Sequence, residues 1–419
     1  MADALANHSI DRRQFLRGLG AAGALAAAPF ALSACGGAAT DSGKKSNGGG
    51  AGKTLKVGFI VPVGGVYQTV STLMINGFQL YLDTHGNKLG GRPVEVVHAD
   101  EGASVAAAQQ AGQRLIYNDK VEFVAGVLKS DSAVGLRTTF DTGKVPLIIA
   151  NANVTELSTT AKSPYVYRTS ASFYQQGGSA GKWYYDTLAK DNVWIMADDY
   201  VGGHDIANAF KDSFSKSGGT VGGQLFTPFQ KTTDFGPYLV QAKNGGAKGI
   251  FAFFGGSEAI AFVKQYESFG LGSIPLAGQG SLFDSAVLGA EGDAGFNKPA
   301  TGNYYIPTLD NPVNKEFVAQ YKQKFNSSPA YYSCSAYDAA QLIDLALTKT
   351  DGSTSDAKEL IAAMENPGEF KSPRGEMSMD PATHNPIQHF YVYENVKTAA
   401  GGVDEKIIAD VGVFKQPAA

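Results

Sequence analysis

The run KSDSA, residues 129–133, places two serines directly after an apolar stretch, at the point where helical spacing begins. Ser130 and Ser132 are of a type that caps helices, and the free N–H groups of a first helical turn attract anions. A ligand carboxylate would fit beside them. The same serines could equally do no more than start the helix, so the local pattern alone leaves both interpretations open.

Two further patterns could indicate catalysis or metal binding, but neither has the context that its chemistry requires. The run GGSAG, residues 177–181, matches the G-x-S-x-G nucleophile elbow, which needs a strand before it. Residues 174–188 instead have the spacing of one helix, so a hydrolase using Ser179 is the weakest hypothesis. The six histidines show no HExxH spacing. We therefore expect no enzyme, no cofactor and no metal site.

The chain on both sides of Ser130 alternates between strand-like and helix-like segments. Short runs rich in β-branched and aromatic residues alternate with stretches of helical spacing, which predicts buried parallel strands joined by helices. In open sheets of this kind, ligands lie beyond the carboxyl ends of the strands. The pattern occurs twice, first in LKVGFIVPV, PVEVVHAD, VEFVAGVL and VPLIIAN, and then in NVWIMADD, GIFAFFGG and IPLAGQG. The sequence thus predicts two α/β units and a cleft between them.

The N-terminal segment reads as a targeting sequence. Arg12 and Arg13 precede an apolar stretch too short to span a bilayer, which resembles a twin-arginine export signal. The run LSAC ending at Cys35 resembles the lipobox of bacterial lipoproteins, in which the cysteine is acylated. We therefore predict a signal peptide over residues 1–34, lipidation at Cys35, and a flexible Gly/Ser/Lys tether over residues 35–53. Export and anchoring to the cell membrane, facing the periplasm or the exterior, would follow.

Composition limits the possible partners of the remaining chain. The formal charge of the full chain is −4, and removal of residues 1–34, with three arginines and two aspartates, changes it to −5. A mildly acidic body without basic blocks makes nucleic acid an unsuitable partner. With Cys334 as its single cysteine, the folded part cannot form an internal disulfide. More than 360 residues are enough for two domains with separate cores.

The order of these elements resembles one known family. The succession KVGFIVPVGG, GVLKSDSA, VPLIIANANVTELS, PYVYRTS, DDYVGG and FFGGSEAIAFVKQYESFGL is similar to the branched-chain amino acid binding proteins of ABC importers, over residues 54–412. This resemblance implies a type I periplasmic binding protein: an α/β fold of two Rossmann-like lobes with parallel-sheet cores, joined by a three-strand hinge. The first lobe would comprise residues 54–168 and 306–373, and the second residues 169–305 and 374–412.

The resemblance also implies a set of ligand residues. A serine at the position of Ser130 binds the ligand carboxylate in the family, with backbone groups at the positions of Asn151 and Asn153, and a tyrosine at Tyr200 closes over the ligand. Three further aromatic residues could add walls to the cleft, although each could equally serve packing alone: Tyr67, Phe173 and Tyr174.

The chain departs from the family where the ligand's ammonium would bind. Gln279 occupies the position of a glutamate that pairs with the ammonium, and Asn153 that of an assisting threonine. Because a buried ammonium needs a counter-charge, either another carboxylate reaches the ligand or the ligand has no ammonium. The candidate carboxylates are Asp131, Glu258 and Asp284.

We therefore expect a monomeric, lipid-anchored binding protein that delivers a small carboxylate-bearing solute, either an amino acid or an aromatic or aliphatic organic acid, to an ABC permease and ATPase by hinge closure. The alternative is a ligand-sensing receptor of the same fold that signals to a partner. Neither the ligand nor the choice between transport and sensing follows from the sequence.

Overall fold

The structure, a computed structural model, describes residues 52–399 and 401–419. The predicted signal peptide, Cys35 and the predicted tether up to residue 51 lie outside these ranges. Among the described residues, no helix combines the length and the apolar character needed to cross a membrane.

The first sheet has six strands in the order β2-β3-β1-β4-β5-β6, all parallel except the short β2. Its central strands are buried on both faces because helices cover both sides of a parallel sheet. The elements up to this point are β1 (Leu55–Val61), α1 (Gln68–Thr84), β2 (Lys88–Leu89), β3 (Arg92–Asp100), α2 (Val105–Gln113), β4 (Phe123–Gly126), α3 (Ser130–Gly143), β5 (Leu147–Ile149) and β6 (Val166–Arg168).

The second sheet has five parallel strands, β8-β7-β9-β10-β11, extended by antiparallel β13, which pairs with β12 and β14. The elements that build it are α4 (Phe173–Thr187), β7 (Val193–Asp199), α5 (Val201–Lys216), β8 (Val221–Pro228), α6 (Gly236–Asn244), β9 (Gly249–Phe253), α7 (Gly256–Ser268), β10 (Leu276–Gln279), α8 (Leu288–Glu291), β11 (Ala300–Asn303), β12 (Met377–Met379), β13 (Pro386–Lys397) and β14 (Val403–Val413).

Three helices between β11 and β12 return to the first sheet: α9 (Pro312–Phe325), α10 (Tyr331–Lys349) and α11 (Ala357–Glu365). Helix α10 packs against α1 at Gly77, where a Cβ would lie 2.0 Å from the carbonyl oxygen of Ser333. Glycine is therefore required at this helix crossing, since any side chain would push the two backbones apart.

The chain passes between the two sheets three times, after β6, after β11 and after α11. This arrangement confirms the predicted fold class of two α/β lobes with parallel-sheet cores and a three-strand hinge. The lobe boundaries by residue number stay a prediction. Buried side chains mark each passage, namely Arg168, Tyr305 and Arg374.

The GGSAG run lies in the middle of α4 and serves helix packing. A Cβ at Gly177 would lie 2.7 Å from the carbonyl oxygen of Ile206, and one at Gly181 would lie 2.6 Å from that of Phe210. The glycines thus let α4 and α5 approach closely. The hydroxyl of Ser179 is buried and donates to the carbonyl of Gln176 at 3.0 Å, which is the geometry of an ordinary helical serine.

Candidate ligand-binding site

A cavity of about 450 Å³ lies between the lobes, at the carboxyl ends of the parallel strands. Pockets of this size are typical of small-molecule sites. The structure brings seven of the eight predicted ligand residues together in its lining: Tyr67, Ser130, Asn151, Asn153, Phe173, Tyr200 and Gln279. Whether these side chains bind a ligand stays a prediction.

Tyr174 is the exception and does not line the cavity. It follows Phe173 on α4, and residues that are adjacent on a helix point in directions about 100° apart. Its ring packs on Phe414, with the ring centroids 5.7 Å apart, while the ring of Phe173 faces the cavity. The expectation that both aromatics form a wall is therefore corrected for Tyr174.

The first-lobe face of the cavity is rich in neutral polar groups. Helix α3 begins at Ser130, and its N-cap residue Lys129 makes no side-chain capping bond. The N–H of Ser132 donates to the carboxylate of Asp131, so the N–H groups of Ser130 and Asp131 are the ones that can meet an anion. The N–H of Asn153 donates to the Ser130 Oγ at 3.3 Å, which leaves the serine hydroxyl proton free to donate. Within the described ranges, the side-chain oxygen of Asn153 is buried and has no hydrogen-bond partner.

A buried carboxylate holds the loop that precedes α3. Glu101, at the end of β3, accepts the N–H groups of Leu128 and Lys129 at 2.8 and 3.0 Å, and burial raises its pKa to about 7. The side chain of Asn151 donates to the carbonyl of Leu128 at 2.9 Å. The loop that leads to Ser130 is therefore held by two side chains, one that follows β3 and one that follows β5.

The second-lobe face carries aromatic rings. Tyr200 stacks on Phe229 with the ring centroids 4.1 Å apart and the planes 12° apart, and Phe253 packs edge-on against Phe173. Tyr331 and Tyr332 add two more rings at the hinge end of the cavity. Flat rings on several sides suit a flat, apolar ligand body.

Gln279 is buried and has both ends of its amide engaged. Its Nε2 donates to the Oε1 of Gln176 at 2.8 Å, and its Oε1 accepts the N–H of Ser281 at 2.8 Å. A neutral amide with both groups paired offers no charge to a ligand ammonium. The cavity wall at Gln279 therefore lacks the negative charge that a glutamate at this position would supply.

Two buried carboxyl groups lie side by side on the same face. Glu258, in the first turn of α7, accepts three backbone N–H groups, from Gln230, Lys231 and Thr232, at 3.0–3.1 Å. Burial, followed by the neighbouring charge of Glu258, raises the pKa of Asp198 to about 9. Because a second negative charge beside Glu258 is unfavourable, the protonated form of Asp198 is favoured.

The three carboxylates named as possible counter-charges, Asp131, Glu258 and Asp284, all line the cavity. Asp284 accepts the N–H of Ala286 and the hydroxyl of Tyr332, and burial raises its pKa to about 6. Asp131 accepts the N–H of its neighbour Ser132. Over residues 52–399 and 401–419, no group of three or more His, Cys, Asp or Glu side chains could hold a metal ion.

Several lining residues were not anticipated from the sequence, among them Asp198, Phe229, Gln230, Phe253, Tyr331 and Tyr332. Asp198 and Phe253 lie at the carboxyl ends of β7 and β9, so the strand-end rule could have found them. Tyr331 and Tyr332 begin a helix of the other lobe, and no local pattern links that segment to the cavity.

Comparison with known proteins agrees with this geometry. Residues 54–402 match the family model described as periplasmic binding protein, and residues 9–29 match that of the twin-arginine translocation pathway signal sequence. The chain belongs to the periplasmic binding protein family. A Leu/Ile/Val-binding protein homolog of Brucella melitensis is 32% identical over 83% of this chain and 89% of its own length.

Two solved structures are similar to this binding protein and hold aromatic acids. A solute binding protein of an ABC transporter from R. palustris in complex with 4-hydroxybenzoate is 33% identical, has a TM-score of 0.79, and is matched over 87% of this chain and 98% of its own. One from Rhodopseudomonas palustris BisB5 in complex with 3,4-dihydroxybenzoic acid is 31% identical, with a TM-score of 0.80 and coverages of 87% and 99%. This chain is accordingly an exported solute-binding protein of the ABC-transporter type.

Proposed function

We propose that this binding protein captures an aromatic carboxylate, of the hydroxybenzoate class, in the interlobe cavity. Gln279 carries the proposal, because its amide is neutral, and hydrogen-bonded at both its nitrogen and its oxygen, where the family's ammonium-binding glutamate would stand. A ligand without an ammonium needs no charge there, and the aromatic rings on the opposite faces suit a flat apolar body.

The carboxylate of the ligand would lie against the first-lobe face. The Ser130 hydroxyl and the N–H groups of Ser130 and Asp131 at the start of α3 are donors, and hydrogen bonds to an ionised acceptor are stronger than neutral ones. The amide of Asn153 can present either its oxygen or its NH₂ group, since the two orientations have the same shape. The ring would then lie between Tyr200, Phe173 and Tyr67.

The second candidate ligand is an amino acid, and the observation in its favour is the presence of Asp131, Glu258 and Asp284 in the lining. Glu258 accepts three backbone N–H groups, Asp284 accepts an N–H and a hydroxyl, and Asp131 accepts the N–H of Ser132. An ammonium would have to compete with these donors, most strongly at Glu258, and Gln279 offers it no charge. The aromatic acid is therefore the better-supported ligand.

A thermal-shift screen tests the ligand class. 4-Hydroxybenzoate, 3,4-dihydroxybenzoate and benzoate are compared with leucine, valine and phenylalanine, and 4-methylpentanoate serves as leucine without its ammonium. A ligand at a hundred times its Kd stabilises by about 2.7 kcal/mol, so we expect shifts with the aromatic acids. A clear shift with leucine and none with any aromatic acid would refute the proposal.

We also propose that the protein is monomeric and is anchored through an acylated Cys35, and that it serves import rather than sensing. Two or more acyl chains give stable membrane attachment, so Cys35→Ala should move the protein out of the membrane fraction. Unchanged fractionation would refute the anchor. A protein that binds its ligand but restores no uptake, when expressed with permease and ATPase subunits, would favour the sensing alternative.

A further inference from the structure

The loop after β5 brings Asn151 and Asn153 to the cavity, and it is held from behind by a buried guanidinium. Arg168 lies at the end of β6, where the chain first passes between the lobes, and it is only 2% exposed. Its Nε donates to the carbonyl of Ala152 at 3.1 Å, and its Nη2 donates to the carbonyl of Val154 at 2.7 Å. These two carbonyls flank Asn153 on either side.

The remaining hydrogen bonds of Arg168 lead to Ser158 and to the turn before β13. Its Nη1 donates to the Ser158 hydroxyl at 2.8 Å and to the Oδ1 of Asn385 at 2.7 Å, and its backbone N–H donates to the carbonyl of His384. Residues 384 and 385 lie in the turn between β12 and β13 of the second sheet. One side chain, placed where the chain first passes between the lobes, thus joins this turn to the ligand loop.

None of these four side-chain hydrogen bonds goes to a carboxylate. Burial lowers the pKa of Arg168 to about 10, so the side chain still carries its charge at neutral pH. A buried cation that relies on neutral oxygens is costly unless every donor is well placed. The contrast with Arg92, whose guanidinium makes a bidentate pair with Glu122, shows that this chain does use carboxylate partners for a buried arginine elsewhere.

The same loop is also tied to the second lobe. The N–H of Thr155 donates to the Asp205 carboxylate of α5 at 2.6 Å, and the Thr155 hydroxyl accepts the N–H of Tyr174. The backbone of Asn153 bridges further, since its carbonyl accepts the N–H of Phe173 at 2.6 Å. Residues 151–155 therefore contact the cavity, the hinge and the second lobe at once.

We propose that Arg168 is a positioning residue for ligand binding, which fixes the orientation of Asn153 toward the cavity by clamping the carbonyls on both sides of it and which links that orientation to the hinge. This inference rests on the proposed function for its ligand. A planar guanidinium reaches two carbonyls and two side-chain oxygens simultaneously, whereas the single ammonium of lysine cannot span them.

The test compares Arg168→Lys with Arg92→Lys, with 4-hydroxybenzoate as the probe in titration calorimetry. Both variants lose a buried guanidinium, but Arg92 contacts Lys53, Thr54, Glu122 and Gly352, away from the ligand loop. We expect Arg168→Lys to raise the Kd about tenfold or more, and Arg92→Lys to change the Kd less than twofold while lowering the melting temperature.

A double-mutant cycle separates positioning from a general loss of stability. If Arg168 acts through Asn153, Arg168→Lys should add little to the effect of Asn153→Ala on the Kd, because the group that it positions is already gone. Fully additive effects, or an unchanged Kd in folded Arg168→Lys, would overturn the proposal.

Hydrogen exchange supplies a measurement that needs no ligand. The peptide covering residues 151–158 should exchange faster in Arg168→Lys than in the wild type, and at the wild-type rate in Arg92→Lys. If the wild type bound no aromatic acid, the proposed function would fail while this exchange experiment would still decide whether the clamp exists. Exchange in Arg168→Lys equal to that of the wild type would refute it.

Discussion

The two faces of the cavity differ in the chemistry that they offer. The first-lobe face presents the Ser130 hydroxyl, Asn151, Asn153 and the first N–H groups of α3, beside the single carboxylate of Asp131, whereas the second-lobe face presents stacked rings and the Asp198–Glu258 pair. We expect the first face, with its N–H and hydroxyl donors, to accommodate an anion better than the second. The asymmetry would give a carboxylate-bearing ligand one preferred direction, with its acid group toward the first lobe.

Removal of the serine hydroxyl should produce the largest effect. A hydrogen bond to a charged group contributes about 1.5–3 kcal/mol, so Ser130→Ala should weaken binding of 4-hydroxybenzoate by about one to two decades in titration calorimetry. Ser132→Ala is the matched control: Ser132 is buried in the same helical turn but is not part of the cavity lining. Equal losses in both variants would show that the first face acts through helix stability rather than ligand contact.

Truncation of the aromatic wall should have the next largest effect. Tyr200→Ala removes the ring that stacks on Phe229, and the loss of about 2 kcal/mol of apolar contact predicts a Kd raised by more than a decade. Tyr200→Phe keeps the ring and should bind nearly as well as the wild type. If instead the phenylalanine variant lost as much as the alanine variant, the hydroxyl rather than the ring would be the important group.

A negative charge introduced at Gln279 would test how this wall of the cavity selects the ligand. Gln279→Glu should weaken aromatic acid binding by about fivefold, because a second anion is placed beside an anionic ligand, and it should raise the affinity for leucine. Gln279→Met, which loses the amide without adding charge, is the control. Tighter binding of 4-hydroxybenzoate to the glutamate variant would contradict the assignment of this wall.

The Asp198–Glu258 pair predicts the smallest effect, on stability. The pKa of Asp198 is raised from near 4 to about 9, so the stability that its proton provides is present at low pH and is lost as the pH rises through this window. Asp198→Asn should therefore gain stability relative to the wild type between pH 6 and pH 7, by on the order of 1 kcal/mol. Urea unfolding measures the difference.

Asp186 provides the control for that pH dependence. It is exposed and pairs with Lys182 rather than with a second carboxyl group, so Asp186→Asn should show no comparable gain between the two pH values. A difference between wild type and Asp198→Asn that did not grow with pH would mean that Asp198 is ionised in the folded protein.

The sequence predicted the fold and part of the site for a clear physical reason. Strand-end residues such as Ser130 and Tyr200 follow apolar runs that are recognisable locally, and parallel strands bring their ends to one edge. The direction of Tyr174 was missed because helical phase, rather than composition, separates it from Phe173. Tyr331 and Tyr332 reach the cavity only through the path of the chain across the hinge.

The hydrogen bonds from Arg168 to the carbonyls that flank Asn153 could not be predicted from the sequence. Arg168 reads as one residue of a short strand, and its role depends on carbonyl directions in the loop at residues 152–154 and on Asn385, 217 positions away. The residue types in a loop do not reveal the directions in which its backbone carbonyls point. Similarly, the pairing of Asp198 with Glu258 depends on how closely the end of β7 approaches the first turn of α7.

A crystal structure of the complex with 4-hydroxybenzoate would locate both ends of the ligand. We expect the carboxylate to lie within hydrogen-bond distance of the Ser130 Oγ and the first N–H groups of α3, with the ring against Tyr200. A carboxylate directed toward Gln279 and Glu258, or an empty cavity at saturating ligand concentration, would contradict it.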